Sequence, residues 1–309
     1  MSKIQVQEIR VDDETTLHVL QHGSGKPSAL LLAGVHGDEK TGPALLSELS
    51  NQLMSIERRG KVSLLPIASP KTYAANQRIH PDDGHDLNRC FLGGVAPTNS
   101  PSGRLVAAIQ QLIRQHEVVI DLHGFPHQLT PIVGVFLQEG ETTLRQRSDE
   151  LLRAFNPEVI WELGTQGEES KKLGSACSYA LKQKIPALGF ELADPEYYSE
   201  AQWDQVLTGL LRVLGKVGCI ITSLPEVTRH IPRYEDRKVL RATNDGTFIP
   251  LKQLLEPMAK REAVGEMVYT DGEHKSFSAP HTGVVLTIAP QGQLQVKQKM
   301  FATVVPVSI

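Results

Sequence analysis

In "LLLAGVHGDEKTG" an apolar run ends at Val35, and an imidazole and a carboxylate follow three positions apart, His36 and Glu39. A second apolar run, "VVIDLHG", ends on His123, 84 residues beyond Glu39. A glycine follows each histidine, and without a Cβ it lets neighbouring backbone pass close by. Two histidines and one carboxylate are the donor set of a catalytic zinc site, which keeps a fourth position for water. Asp121, two residues before His123, is then a candidate acceptor that orients an imidazole; its alternative role is simply to end a strand. Alone, the "HGDE" segment reads equally well as a solvated strand-to-helix turn, with Asp38 and Glu39 set against the positive end of the next helix. Recurrence of the pattern at a second strand end favours the metal reading. His127, in "HGFPH", has i, i+4 spacing from His123, but Gly124 and Pro126 break any helix across that span. His80 and His85 lie in a polar loop and read as solvated.

The elements that must hold these residues follow from periodicity. "SALLLAGV" (28–35) reads as a strand buried on both faces. It is followed by a helix with apolar residues at Leu45, Leu46, Leu49 and Leu53, where Thr41 and Pro43 suit a cap and first turn. Strands are expected at 4–21, 61–69, 117–124, 131–137 and 186–192, and helices at 103–116, 141–154, 171–183 and 199–217. Residues 70–103 read as a long polar loop, a length usually functional or disordered. Strands alternating with helices argue for an α/β sheet covered on both faces. After residue 225 the texture changes to short β-like segments separated by "NDGT", "TDGE", "HTG" and "PQGQ", with one helical stretch at 251–260. The division expected is a hydrolase domain over 1–229 and a small β domain over 230–309.

With 32 basic and 35 acidic residues the net charge is -3, which gives no field to gather nucleic acid or an anionic membrane. A small-molecule partner fits better. The cysteines, Cys90, Cys177 and Cys219, are three in number and widely spaced, so they support neither a disulfide framework nor a thiolate metal site. No run reaches the length of a membrane span and the first residues lack a signal-type apolar core, so the expectation is a cytoplasmic protein.

Four segments in order, "GVHGDEKTG", "NQRIHPDDGHDLNRCF", "VVIDLHG" and "GFEL", resemble the succinylglutamate desuccinylase/aspartoacylase family, a branch of the zinc carboxypeptidase-like hydrolases. The resemblance implies a mixed central sheet with helices on both faces and one Zn2+ per chain, held by His36, Glu39 and His123. It further implies that Arg78 polarises the scissile carbonyl, that Asn88 and Arg89 hold a substrate carboxylate, and that Glu191 is general base and then acid. The residue chemistry agrees. Zinc can bring bound water to a pKa of about 7, but a proton must still reach the leaving nitrogen. Glu191, between Phe190 and Leu192, is placed for partial burial that would raise its pKa towards that task. Arg89 offers a planar fork for a carboxylate, with Asn88 a neutral donor beside it.

Two departures stand out. Eight residues, Ile79 to Asp86, separate Arg78 from Leu87, so "HPDDGH" lengthens this loop. Aspartoacylase-like members carry a further arginine for the substrate's second carboxylate; here its place, ten residues before Glu191, is Leu181, with Lys182 and Lys184 adjacent. Lys182 is the candidate replacement, as a point charge without the fork. The missing fork argues against N-acetylaspartate and N-succinylglutamate and puts a less acidic N-acyl amino acid on an equal footing as the candidate substrate. The C-terminal segment resembles a barrel-sandwich hybrid, the fold of biotinyl and lipoyl carriers. The carrier position falls on Gly272 rather than Lys275, so this domain reads as a shield over the site or a contact in a homo-oligomer.

The leading expectation is a zinc-dependent amidohydrolase acting on an N-acyl amino acid. A carboxypeptidase-type enzyme acting on peptides or modified amino acids keeps the chemistry and changes the substrate. A non-catalytic zinc-containing binding protein is the reading from another class. His36, Glu39, His123 and Glu191 together argue against it, because a structural site needs no base and normally takes four protein ligands.

Overall fold

The computed structural model describes residues 4–164 and 174–307. The chain begins β1 (Gln5–Arg10), β2 (Thr16–Gly23), β3 (Ser28–Ala33), α1 (Thr41–Leu53), β4 (Lys61–Leu65) and α2 (Pro70–Ala75). A 3-10 turn (Leu87–Arg89), α3 (Pro101–Arg114), β5 (Val118–Gly124), β6 (Val133–Leu137), α4 (Thr142–Phe155) and β7 (Val159–Leu163) follow. Then come α5 (Ala176–Lys182), β8 (Ala187–Leu192) and α6 (Glu200–Val217). The remainder is β: β9 (Arg233–Arg241), β10 (Gly246–Pro250), β11 (Pro257–Met258), β12 (Ala263–Tyr269), β13 (His274–Ser278), β14 (Gly283–Ile288), β15 (Gly292–Leu294) and β16 (Lys299–Pro306).

One mixed sheet of 12 strands has the order β1-β2-β4-β3-β5-β8-β6-β7-β9-β16-β14-β11. Its centre, β4-β3-β5-β8, is parallel. The reason is legible in β3. Successive strand residues point to opposite faces, and here both faces are apolar: Leu30 and Leu32 join α3 residues such as Leu105 and Ile109, while Ala29, Leu31 and Ala33 join Leu45 and Leu49 of α1. Each such leucine, fully buried, contributes about 1.5–3 kcal/mol. The result is a sheet with helices on both faces, and no described helix is long and apolar enough to cross a membrane.

Several expectations change. Residues 70–103 are not structureless, since α2 and the 3-10 turn lie within them. Helix α3 starts at Pro101 because the Ser100 hydroxyl accepts the Gly103 amide at 3.1 Å and Pro101 suits the first turn. Helix α1 takes Lys40 at its N-cap without a side-chain bond, so Thr41 is already helical. Strand β7 went unforeseen: "VIWEL" is buried at every position, which hides the period of two. The helix expected at 251–260 is absent. Leu255 has a φ of 60°, and Pro257, which cannot continue a helix, instead starts β11. Of the helix expected at 171–183, residues 171–173 lie outside the described residues, and Ala176–Lys182 is helical.

In the C-terminal part, β13-β12-β10-β15 form a second sheet, antiparallel throughout. Its Phe248, Met267 and Phe277 share an apolar cluster with Val285 of β14 and Phe301 of β16. Strand β9 pairs in parallel with β7 through Ile160↔Arg233 and Trp161↔Tyr234, so the central sheet runs on into the C-terminal strands.

Candidate active site

The parallel strands β3, β5 and β8 are neighbours, and their C-terminal ends lie together, where open α/β sheets put their ligands. His36 follows the end of β3 by three residues, and His123 and Glu191 occupy paired positions next to last in β5 and β8. Gly37 makes the His36 turn possible: a Cβ there would lie 1.8 Å from the Thr72 carbonyl oxygen of α2, while its amide donates to Gln77 at 2.9 Å.

His36, Glu39 and His123 are buried, and their ligand atoms all lie within 4.8 Å of one another. Nδ1 of His36 is 2.7 Å from Glu39 Oε1, and Nδ1 of His123 is 3.0 Å from Glu39 Oε2. The far nitrogens meet carboxylates, His36 Nε2 with Asp86 at 3.1 Å and His123 Nε2 with Asp121 at 3.0 Å. Arg78 Nη1 lies 3.2 Å from His36 Nδ1. The centre thus gathers electron pairs from two imidazoles and one carboxylate, with carboxylates behind both rings, which is the donor chemistry of a divalent metal site. Its need for positive charge shows in the titrations. Burial opposes ionisation of Glu39, yet His36 and His123 hold it well below the usual carboxylate range. Burial likewise opposes charging of His123, but Asp121 and Glu39 prevail and raise it well above an ordinary histidine.

Glu191 behaves in the opposite sense. Burial, and after it the charge of Glu39, push its pKa up. A carboxyl adjusted in that direction suits proton transfer. The longer loop after Arg78 closes on itself: the His80 amide donates to the His85 carbonyl at 2.9 Å, and Asp83 accepts the Ser102 amide and hydroxyl, both at 2.8 Å. His80 is buried inside this turn, contrary to its expected solvation. The closed turn leaves Arg78 beside Asp86, which takes its Nε at 3.0 Å and its Nη2 at 2.9 Å. Asn88 is buried, its side-chain amide 3.2 Å from His123 Nε2, and its Oδ1 has no partner among the described residues. Arg89 Nη1 donates to the Asn88 carbonyl at 2.8 Å. Arg78, Asn88, Arg89 and Glu191 line one cavity of about 290 Å³ with the three clustered ligands.

Residues 25–217 match the model of the succinylglutamate desuccinylase/aspartoacylase catalytic domain. The chain belongs to this family. An N-alpha-acetyl-L-2,4-diaminobutyric acid deacetylase of Halomonas elongata is 36% identical over 107 residues, which are 34% of this chain and only 30% of that protein. Among solved structures, a succinylglutamate desuccinylase/aspartoacylase from Rhodobacter sphaeroides superposes with a TM-score of 0.78 at 22% identity, covering 96% of this chain and 90% of that one. The product-bound ectoine utilization protein EutE (DoeB) from Ruegeria pomeroyi gives 0.79 at 19% identity, covering 99% and 100%. At such identities these likenesses carry the mixed α/β fold.

One candidate of the family pattern falls away from the cavity. Lys182 is exposed in the last turn of α5, on the side where β8 begins, whereas the site gathers where β8 ends; it does not line the cavity, and Leu181 is buried in the core. The cations that do line it and went unforeseen are Arg237 and Arg241 of β9 and Lys299 of β16. Asp86 was missed as well, although its place before "LNR" as the cap of the 3-10 turn was a readable signal. Asp121, noted as a candidate, does face the His123 ring.

Proposed function

We propose that this family member is a zinc-dependent hydrolase that cleaves the amide bond of an N-acyl amino acid or a related small amide bearing a carboxylate. The observation that carries this reading is the juxtaposition of the His36, Glu39, His123 cluster with Glu191, a half-buried carboxyl of raised pKa in register with His123. A zinc ion held by these three residues would supply Lewis acidity, polarising a carbonyl and lowering the pKa of water. The chain's own groups do the rest. Asn88 and Arg89 bind the substrate carboxylate, and Arg78 donates to the scissile carbonyl oxygen as charge develops there. Glu191 takes the proton of the attacking water and delivers it to the departing nitrogen. Phe125, Val135 and Leu163 give the cavity apolar walls that limit water. The Halomonas relative, a deacetylase of an N-acetyl amino acid, supports the same reaction class.

The same reading carries a division into a catalytic domain, 1–229, and a C-terminal domain of barrel-sandwich type, 230–309, in a cytoplasmic protein. The separate apolar cluster around Phe248 and Phe301 supports the division.

The test is direct. Purified chain should hold close to one zinc, and Glu191→Gln should retain it while turnover of N-acyl amino acids falls by about 10²–10⁴-fold. Normal turnover in that variant would refute the base, and cleavage of peptides but not of N-acyl amino acids would favour a carboxypeptidase.

A further inference from the structure

We propose that Asp83 is a positioning residue: by fastening the inserted segment His80–His85 to α3, it keeps Arg78 aimed at the scissile carbonyl. The inference rests on the deacylase reading, in which Arg78 meets that carbonyl, and extends it to a residue that does not line the cavity. The segment concerned is "HPDDGH", which lengthens the loop between Arg78 and Leu87.

The insert returns on itself and is tied to the helices beside it. Within it, the His80 amide donates to the His85 carbonyl and the Gly84 amide to the His80 carbonyl, both at 2.9 Å. Towards α3, the Asp83 carboxylate accepts the Ser102 amide and hydroxyl, both at 2.8 Å, and the His85 amide at 3.3 Å. Towards α2, Asp82 shares the Lys71 ammonium with Glu14 of the β1–β2 turn, each at 2.6 Å. These ties differ in strength. Asp82 and Glu14 are exposed, so water and salt screen their pairs with Lys71. The Asp83 side chain is only 11% exposed, and it stands at the N-terminal end of α3, where unpaired amides and the helix dipole favour an anion. Burial opposes its ionisation, but the bonds from Ser102 prevail and hold its pKa below the usual carboxylate range.

Helix α3 does not depend on this tie for its start. Ser100 already caps it by accepting the Gly103 amide, and Asp83 reaches Ser102 from 19 residues away. What the bond fixes is the insert, and through it the residues at either end. Asp86 is steadied separately, as the cap of the 3-10 turn. Backbone before Arg78 is pinned where the Gln77 carbonyl accepts the Gly37 amide, so the slack lies beyond that point. The fork from Arg78 to Asp86, at 3.0 and 2.9 Å, exists only while the two ends of the insert stand together. An unfastened excursion of this length would sample many shapes, and a guanidinium displaced by about 1 Å would lose much of its value to a developing charge. His36, Glu39 and His123 belong to the ends of β3 and β5 and not to this loop, so metal binding should survive the change.

A double-mutant cycle in zinc-loaded full-length chain tests this. Asp83→Ala should lower kcat for N-acyl amino acids about 10–100-fold, with KM changed less than about threefold and zinc content unaltered, because Arg78 acts on the transition state. In an Arg78→Ala background the same substitution should change kcat less than about threefold. Ser102→Ala removes one of the two bonds with less risk to the fold, and should show a smaller loss, about 3–10-fold, that likewise vanishes without Arg78. Equal losses in both backgrounds, or zinc lost in step with activity, would overturn the positioning role. Hydrogen exchange supplies a readout apart from activity: the His80 and Gly84 amides should exchange at least about tenfold faster in Asp83→Ala, with those of β3 and β5 unchanged. Unchanged exchange at His80 and Gly84 would overturn the tie itself. If no N-acyl amino acid is cleaved, the deacylase reading fails alone, and the same cycle read as affinity for acetohydroxamate, an oxyanion that binds zinc, decides the role of Asp83.

Discussion

Asp86 divides its carboxylate among three partners: Oδ1 meets His36 Nε2 at 3.1 Å and the Asn88 backbone amide at 3.0 Å, and Oδ2 takes the Arg78 fork. Burial would raise its pKa, but His36 and Arg78 reverse this and hold it ionised well below the carboxylate range. One residue therefore sets both the imidazole that faces the metal position and the guanidinium assigned to the carbonyl. Asp86→Asn keeps the size and removes the charge, so zinc affinity should fall about 10–100-fold in a chelator competition. An affinity equal to that of the unaltered chain would reduce Asp86 to a loop residue. His36, Glu39 and His123 drew notice as polar residues at or soon after the ends of apolar strands, and Glu191 through the family resemblance. Sequence did not single out Asp86, whose place before "LNR" was the only signal among Asp82 and Asp83 in a polar loop, nor Lys299, 176 residues beyond His123. Their roles depend on strand pairing and loop closure, which no local spacing records.

At the scale of elements, the same contrast separates what periodicity could place from what it could not. Strand β3 was legible as an unbroken apolar run closed by a turn, and helix α1 by its repeating apolar face; β7 was not, because Glu162 interrupts its short buried run, and the apparent helix at 251–260 failed at Leu255, with a φ of 60°, and at Pro257, which starts β11. The turn between β3 and α1 is where element packing meets the site. A Cβ on Gly37 would fall 1.8 Å from the Thr72 oxygen and 2.0 Å from its carbonyl carbon, both backbone atoms of α2. Gly37→Ala must therefore push α2 and the His36 turn apart, costing about 1–3 kcal/mol in urea unfolding and weakening zinc binding. Gly84→Ala is the control: its φ is 73° but nothing lies within 4 Å of the added methyl, so stability should drop by about 1 kcal/mol with zinc affinity retained. Equal losses of zinc in both variants would mean that the close approach to α2 does not hold the ligand.

Across the whole molecule, the central sheet and the C-terminal strands are linked twice, by the β7–β9 pairing and by the Leu129↔Ile288 bridge beside Gln128. That linkage carries Lys299 into a cavity already rich in cations, at a cost visible in its titration. Burial, then the charge of Arg237, lower its pKa from 10.5 to about 8, Glu191 only partly opposing them. A lysine whose folded pKa lies below its unfolded one weakens the fold fully while charged in both states, below pH 8. Between pH 8 and 10.5 the unfolded chain retains a proton that the folded chain has released, so this lysine's contribution to stability rises with pH, by about 3 kcal/mol at most. Lys299→Met should therefore stabilise the chain at pH 7 by about 1–3 kcal/mol and converge on the unaltered protein near pH 10, as read from urea midpoints at the two values. A loss of stability at pH 7 would mean that Lys299 is held by a favourable partner in the fold.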